Sequence, residues 1–260
     1  MIKALFFDID GTLVSFKTHR IPQSTVDALQ CAHDKGIKIY IATGRPIQII
    51  TNLVQIENLI DGWITTNGAY CFIGEKVICC NPIAENDVEK IISASDRDNY
   101  SVIIVGEKHL AVHNYADIVD ITFREGLGVD NIDYHRDIDS LKGQKILQLT
   151  PFCKEDQEAE LMPTISNCTS GRWCSEFTDI TAQNANKGKG IESIARHEGF
   201  TIEETMAFGD GGNDDKMLQT AGIGIAMGNA NEKTKSIADY ITTSVDEDGI
   251  LNALSHFGII

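Results

Sequence analysis

The sequence predicts a doubly wound α/β core interrupted by an inserted α+β domain. Three observations predict it: near-continuous apolar runs that suit strands buried on both faces, helical stretches alternating with them at both ends of the chain, and a change of character between about Pro82 and Gln183. Ala4-Leu5-Phe6-Phe7 reads as the first strand and Ser24 to Lys35 as its helix, in which Val26, Leu29 and Ala32 share a face and Gly36 ends the pattern. The unit repeats with the apolar run Ile37 to Ala42, then Thr43-Gly44-Arg45-Pro46 and a second helical stretch expected to reach about Gln55. Trp63 to Thr66 reads as a third strand, closed by the Asn67-Gly68 turn. In the insert, helix-compatible sequence at Glu85 to Ser95 mixes with isolated strands at Ser101 to Val105 and Lys145 to Leu149. The first grammar then returns: Gly190 to His197 helical, Met206 to Phe208 a strand, Asp214 to Gln219 helical, Ile223 to Met227 a strand. Closing helices follow at Asn231 to Ala238 and Ile250 to His256. On this reading residues 1–82 and 184–260 fold together as one core, with 83–183 suspended from it by two linkers.

Composition narrows the function. The 260 residues are 42% hydrophobic, enough to pack a core. With 22 Lys and Arg against 38 Asp and Glu, the net charge of −16 opposes attraction to nucleic acid or an anionic membrane. An acidic protein that handles anions has to concentrate positive charge locally, which favours a bound divalent cation. The seven cysteines are odd in number and contain no C-x-x-C pair, so neither a zinc site nor a disulfide framework is indicated. Met1 to Asp10 does not read as a secretory signal, and no apolar run approaches the roughly 20 residues that span a bilayer. A cytoplasmic location is expected.

Four motifs carry chemistry. In Phe6-Phe7-Asp8-Ile9-Asp10-Gly11-Thr12, the two aspartates sit at the carboxyl end of the first strand, where open α/β sheets bind ligands. Residues i and i+2 of an extended chain share a side, so Asp8 and Asp10 suit a metal site or a nucleophile with a general acid. A solvated turn and a calcium loop are the alternatives; the preceding strand argues against the latter. Thr43-Gly44-Arg45-Pro46 combines a hydroxyl, a glycine backbone and a proline-initiated helix into a candidate phosphate cradle, or serves turn geometry alone. Asn186-Lys187-Gly188-Lys189-Gly190 opens a helix and brings a compact cation to a phosphate or a carboxylate cluster, the two lysines leaving the choice open. Phe208-Gly209-Asp210-Gly211-Gly212-Asn213-Asp214-Asp215 offers carboxylates of the kind magnesium demands at another strand end.

In kind and order, Asp8-Ile9-Asp10-Gly11-Thr12, Thr43-Gly44-Arg45, Lys187 with Gly188 and Gly190, and Gly209 to Asp214 resemble the four motifs of the haloacid dehalogenase superfamily. The insert resembles the type IIB cap of its Cof-like sugar-phosphate phosphatases, over a Rossmann-like core. The resemblance implies a Mg2+-dependent phosphatase in which Asp8 attacks phosphorus while Asp10 protonates the leaving group and then activates water. It implies magnesium on the carboxylates of Asp8 and Asp210 and the backbone carbonyl of Asp10, with Asp214 supporting through its waters. Thr43, Lys187, Asn213 and the backbones of Ile9 and Gly44 are implied to hold the phosphoryl oxygens. It also selects Lys187 over Lys189, because the family's lysine precedes the glycine leading into the helix. Substrate choice is expected from Arg45, Arg172, Trp173, Glu176 and Asp179, an aromatic face with charged groups suiting a sugar. The expected partners are small-molecule phosphate esters, with the chain a monomer or weak homo-oligomer. A sugar phosphomutase is the enzymatic alternative. A non-catalytic sugar-phosphate binder would require the erosion of a residue such as Asp8, Asp10, Lys187 or Asp210, and all are present.

Overall fold

Burial on both faces decides the central strand: Ala4–Phe7 (β1) has no exposed side chain, and Phe6 and Phe7 point to opposite faces. There Phe6 stacks on Tyr40 at 4.9 Å and Phe7 on Phe208 at 4.6 Å. The computed structural model describes residues 1–260 except Leu127, Asp130 and Trp173. After β1 come α1 (Gln23–Asp34), β2 (Lys38–Ala42), β3 (Gly62–Thr65), β4 (Tyr70–Ile73) and β5 (Lys76–Cys80). The middle of the chain forms α2 (Glu85–Asp98), β6 (Val102–Gly106), β7 (Leu110–His113), α3 (Asp117–Asp120), β8 (Ile146–Pro151), α4 (Glu155–Leu161), β9 (Cys168–Gly171) and β10 (Asp179–Ala182). The last third supplies α5 (Lys187–Glu198), β11 (Thr205–Gly209), α6 (Asp215–Thr220), β12 (Ile223–Ala226), α7 (Glu232–Ile237), β13 (Tyr240–Ile241) and α8 (Gly249–His256).

The chain divides into two compact units, the first made of Met1–Gly44, Thr51–Cys79 and Asn186–Ile260, the second of Arg45–Ile50 and Cys80–Ala185. In the first, the described residues form an eight-stranded sheet in the order β13-β12-β11-β1-β2-β3-β4-β5. Every pairing from β13 to β3 is parallel, and β4 returns antiparallel to β3. β1 lies beside both β2 and β11, with Phe7 in register with Ile41 on one side and Phe208 on the other. The second unit holds an antiparallel sheet in the order β7-β6-β8-β10-β9. One of its faces packs Ile91 and Ala94 of α2 and Leu161 of α4 with Ile104, Leu149 and Ile180, while the other carries an aromatic cluster of Phe123, Phe152 and Phe177. Among the described residues no helix is long and apolar enough to cross a membrane, and all seven cysteines are free thiols.

The expected helix running to about Gln55 does not form. Pro46 is extended, with φ −70° and ψ 150°, and only a single 3-10 turn, Ile47–Ile49, follows. Ile47, Ile49, Ile50 and Thr51 are β-branched and weak helix formers, and Ile49 gains more by burying itself in the second unit's aromatic cluster. β4, which pairs antiparallel with β3, β5 beyond it and β13 at the other edge, like β7, β9 and β10 of the second unit, are not apparent in the sequence either. They are segments of two to five residues, too short to carry a periodic pattern of their own, and β4, β7 and β9 each pair with a strand next to them in the chain, β3, β6 and β10.

Candidate active site

The residues that matter follow the carboxyl ends of neighbouring parallel strands. β1 ends one residue before Asp8, β2 one before Thr43 and β11 one before Asp210, and the order β11-β1-β2 brings these three ends to one rim. The Asp8 N–H donates to the Phe208 carbonyl at 3.0 Å and that of Thr43 to Ile64 at 2.8 Å, so each strand's hydrogen bonding carries past its last residue into the motif.

Lys187 opens α5, whose N-cap is Asn186, its side chain accepting from the Lys189 N–H at 2.9 Å. The lysine is fully buried, and its Nζ donates to Asp8 Oδ1 at 2.6 Å and to Asp214 Oδ1 at 2.5 Å. Lys189, two residues along the helix, is exposed. Asp214 Oδ2 accepts from the backbone N–H groups of Asp210 at 3.0 Å and Gly211 at 2.9 Å. Both oxygens of Asp214 are thus engaged, one on the lysine and one in shaping the loop that presents Asp210. Asp210 in turn accepts from Thr12 Oγ1 at 3.0 Å and from Asn229 Nδ2 at 3.3 Å. Asn229 also donates to the Gly11 carbonyl at 2.8 Å, and its own Oδ1 is held by the Val245 N–H at 3.0 Å, which fixes the amide's orientation.

One cation faces several carboxylates, and the electrostatics show it. Burial pushes the Asp8 carboxyl well above its usual range; Lys187 opposes the shift, while Asp214, Asp210 and Asp10 reinforce it. Asp210 is raised to about 7 by burial and by Asp214, against the Thr12 hydrogen bond and Lys187. Burial alone lowers Lys187, but Asp214 and Asp8 together outweigh it and hold the ammonium above its ordinary value. Ionised together, these carboxylates would carry more negative charge than Lys187 alone can balance. Oxygens of Asp8, Asp210 and Asp214 lie within 4.8 Å of one another, a hard-oxygen set that could hold a metal ion. The Asp10 carboxylate is not part of that set.

Of the remaining expected residues, Ile9 and Thr43 are buried, Gly44 is half-buried, and Asn213 is exposed with its Nδ2 on Asn67 Oδ1 at 3.2 Å. In the second unit, Arg172 binds Glu158 through Nε at 2.7 Å, the Ser175 carbonyl through Nη1 and the Cys153 carbonyl through Nη2, each at 3.0 Å. All three guanidinium nitrogens thus bind the chain around α4 and β9. Asp179 is buried and accepts from Gln148 Nε2 at 2.8 Å and Thr150 Oγ1 at 2.7 Å, while Glu176 is exposed and Arg45 half-buried. Trp173 lies outside the described residues. The tasks of Thr12 and Asn229 emerge only from the structure. The one signal for Asn229 was its place in Met227-Gly228-Asn229-Ala230, just beyond a strand end.

The model of the haloacid dehalogenase-like hydrolases matches residues 5–254. YkrA of Bacillus subtilis (strain 168), whose name assigns it provisionally to the phosphatases, is 33% identical over 99% of this chain and 98% of its own length. The solved structure of the HAD subclass IIB sugar phosphatase BT4131 is 50% identical, covering 99% of this chain and 100% of that one, with a TM-score of 0.92. That of BT1666 from Bacteroides thetaiotaomicron, described among phosphatases of the haloalkanoate superfamily, is 36% identical with a TM-score of 0.88, covering 100% of this chain and 96% of that one. Likeness that runs from residue 5 to residue 254, through both units, leaves one assignment: the chain belongs to the haloacid dehalogenase-like hydrolases.

Proposed function

We propose that the chain is a magnesium-dependent phosphatase of small phosphorylated metabolites, sugar phosphates foremost, working through an aspartyl-phosphate on Asp8. The observation that carries this reading is the buried Asp8 carboxylate, paired with Lys187 and flanked by Asp210 and Asp214 at a strand-end rim. The similarity to a subclass IIB sugar phosphatase supports sugar phosphates as the substrate class.

Magnesium on the carboxylates of Asp8 and Asp210 and the Asp10 carbonyl would supply positive charge that offsets repulsion between nucleophile and phosphate. Asp8 attacks in line, forming an Oδ–P bond as the P–O ester bond breaks, and Asp10 gives its proton to the departing alkoxide. Asp10 then takes a proton from water as that water attacks phosphorus, releasing inorganic phosphate and restoring the Asp8 carboxylate. Thr43, Lys187, Asn213 and the N–H groups of Ile9 and Gly44 hold the phosphoryl oxygens. The grip of Lys187 on Asp8 keeps the nucleophile from rotating away, and the hydrogen bonds made by Asp214 keep Asp210 facing it. Substrate choice is assigned to Arg45, Arg172, Trp173, Glu176 and Asp179, charged groups with an aromatic face that suit a sugar.

The test is phosphate release from a panel of sugar phosphates and other phosphate esters, with magnesium or a chelator, by wild type and Asp8→Asn. Magnesium-dependent release lowered by on the order of a thousandfold or more in Asp8→Asn is expected. Isomerised sugar phosphate without free phosphate would replace this reading with a phosphomutase.

A further inference from the structure

Beyond the carboxyl end of β3, Thr66 and Asn67 have φ values of 49° and 51°, two successive side-chain-bearing residues in the left-handed region. A β-branched residue there is a genuine outlier. Such conformations persist only where the surroundings over-determine them, and they gather where ligands are handled. The surroundings here are specific. The Asn67 N–H donates to the Thr43 carbonyl at 3.0 Å. Gly68, with φ 89°, lies so close to the Asn186 backbone that a Cβ would collide with it, and Asn186 caps the helix that begins with Lys187. Asn67 Oδ1 accepts from Asn213 Nδ2 at 3.2 Å. The same amide covers Gly44, its Oδ1 and Nδ2 standing 3.1 and 3.2 Å from where a Cβ on that glycine would be. The strained turn therefore touches the loop of Thr43 and Gly44, the cap of the lysine's helix, and Asn213. All of these residues belong to the first unit.

We propose that Asn67 is a further phosphoryl-binding residue: its side-chain oxygen orients Asn213, and its Nδ2 donates to a non-bridging phosphoryl oxygen lying over Gly44. The inference rests on the phosphatase reading, which makes these loops the phosphate cradle. It explains why the chain keeps an amide at a strained position. The turn alone would be better served by glycine, whereas an asparagine tolerates the left-handed region and still delivers a donor to an anion.

Two variants separate the amide from the backbone. Asn67→Gly relieves the strain and removes the amide, so its melting temperature should equal or exceed that of wild type. Its affinity for inorganic phosphate, titrated calorimetrically with magnesium present, should fall roughly tenfold, the worth of one hydrogen bond to a charged group. KM for a phosphate ester should rise by a similar factor. Asn67→Asp keeps the shape and sets a carboxylate against the anion, so phosphate should bind more weakly still. Unchanged phosphate affinity in Asn67→Gly, or in a folded Asn67→Asp, overturns the inference and leaves the phosphatase reading standing. A wild-type protein that neither binds phosphate nor releases it from any ester overturns both.

Discussion

A lysine with no exposed surface is held in the site by two carboxylates, and the balance among these charges sets how the metal-free protein responds to pH. Taking one such partner away from a buried pair typically costs about 3–5 kcal/mol, so Asp8, Lys187 and Asp214 stand or fall together. Asp210 is the group whose shift lies in an accessible range, raised from 3.8 to about 7. A carboxyl raised in the folded state favours folding while it is protonated. Its contribution is complete below its ordinary value and is lost as the pH climbs through the folded one. Between these limits the metal-free protein should lose stability from this group as pH rises. A divalent cation binds the ionised form and should restore it. We expect the rise in melting temperature on adding magnesium to be larger at about pH 8 than at about pH 5, with metal binding releasing protons near neutrality. Equal rises at both pH values would show that Asp210 does not titrate in this window.

The start of α5 shows how much of the site depends on one helix being placed correctly. Asn186 caps it, and Gly188 lets it approach α6 so closely that a Cβ there would stand 2.6 Å from the Lys216 carbonyl oxygen and press on Thr220 Oγ1. Gly188→Ala therefore sets two effects against each other. Alanine gains about 1 kcal/mol of helix propensity over glycine, while overpacking against a neighbour typically costs about 1–3 kcal/mol. Because the obstacle is backbone, which cannot swing aside, overpacking should win. The variant should be less stable in denaturant unfolding, and its displaced Lys187 should raise KM as well. A variant as stable and as active as wild type would mean that α5 and α6 can part without cost. The segment after Pro46 teaches the opposite lesson. Its helical pattern was outweighed by β-branched residues and by the place open to Ile49 in an aromatic cluster.

At the scale of the whole molecule, the net charge of −16 gathers divalent cations toward an acidic site. Raising ionic strength from about 0.01 M to about 0.15 M shortens the screening length from about 30 Å to about 8 Å. Magnesium affinity measured by calorimetry should fall over that range. An unchanged affinity would assign the attraction wholly to Asp8, Asp210 and Asp214. The same scale separates what could be read in advance from what could not. Strands β1, β2, β3, β11 and β12 of the core, and the motifs that follow β1, β2 and β11, were legible because each is written in a few adjacent residues: an apolar run, then Asp8 or Thr43 or Asp210 at its end. The sequence by itself thus determined the α/β core, the family and the candidate groups. Only tertiary structure decided how they meet. The strand order β11-β1-β2-β3 sets Asp210 beside Asp8 and the Asn67 turn beside Gly44. Lys187 is buried between Asp8 and Asp214, and Glu158 binds Arg172. The physical reason is range: propensity and turn chemistry act over a few residues. Charge pairing, close packing and the strain stored at Thr66 and Asn67 depend on neighbours brought together from distant parts of the chain.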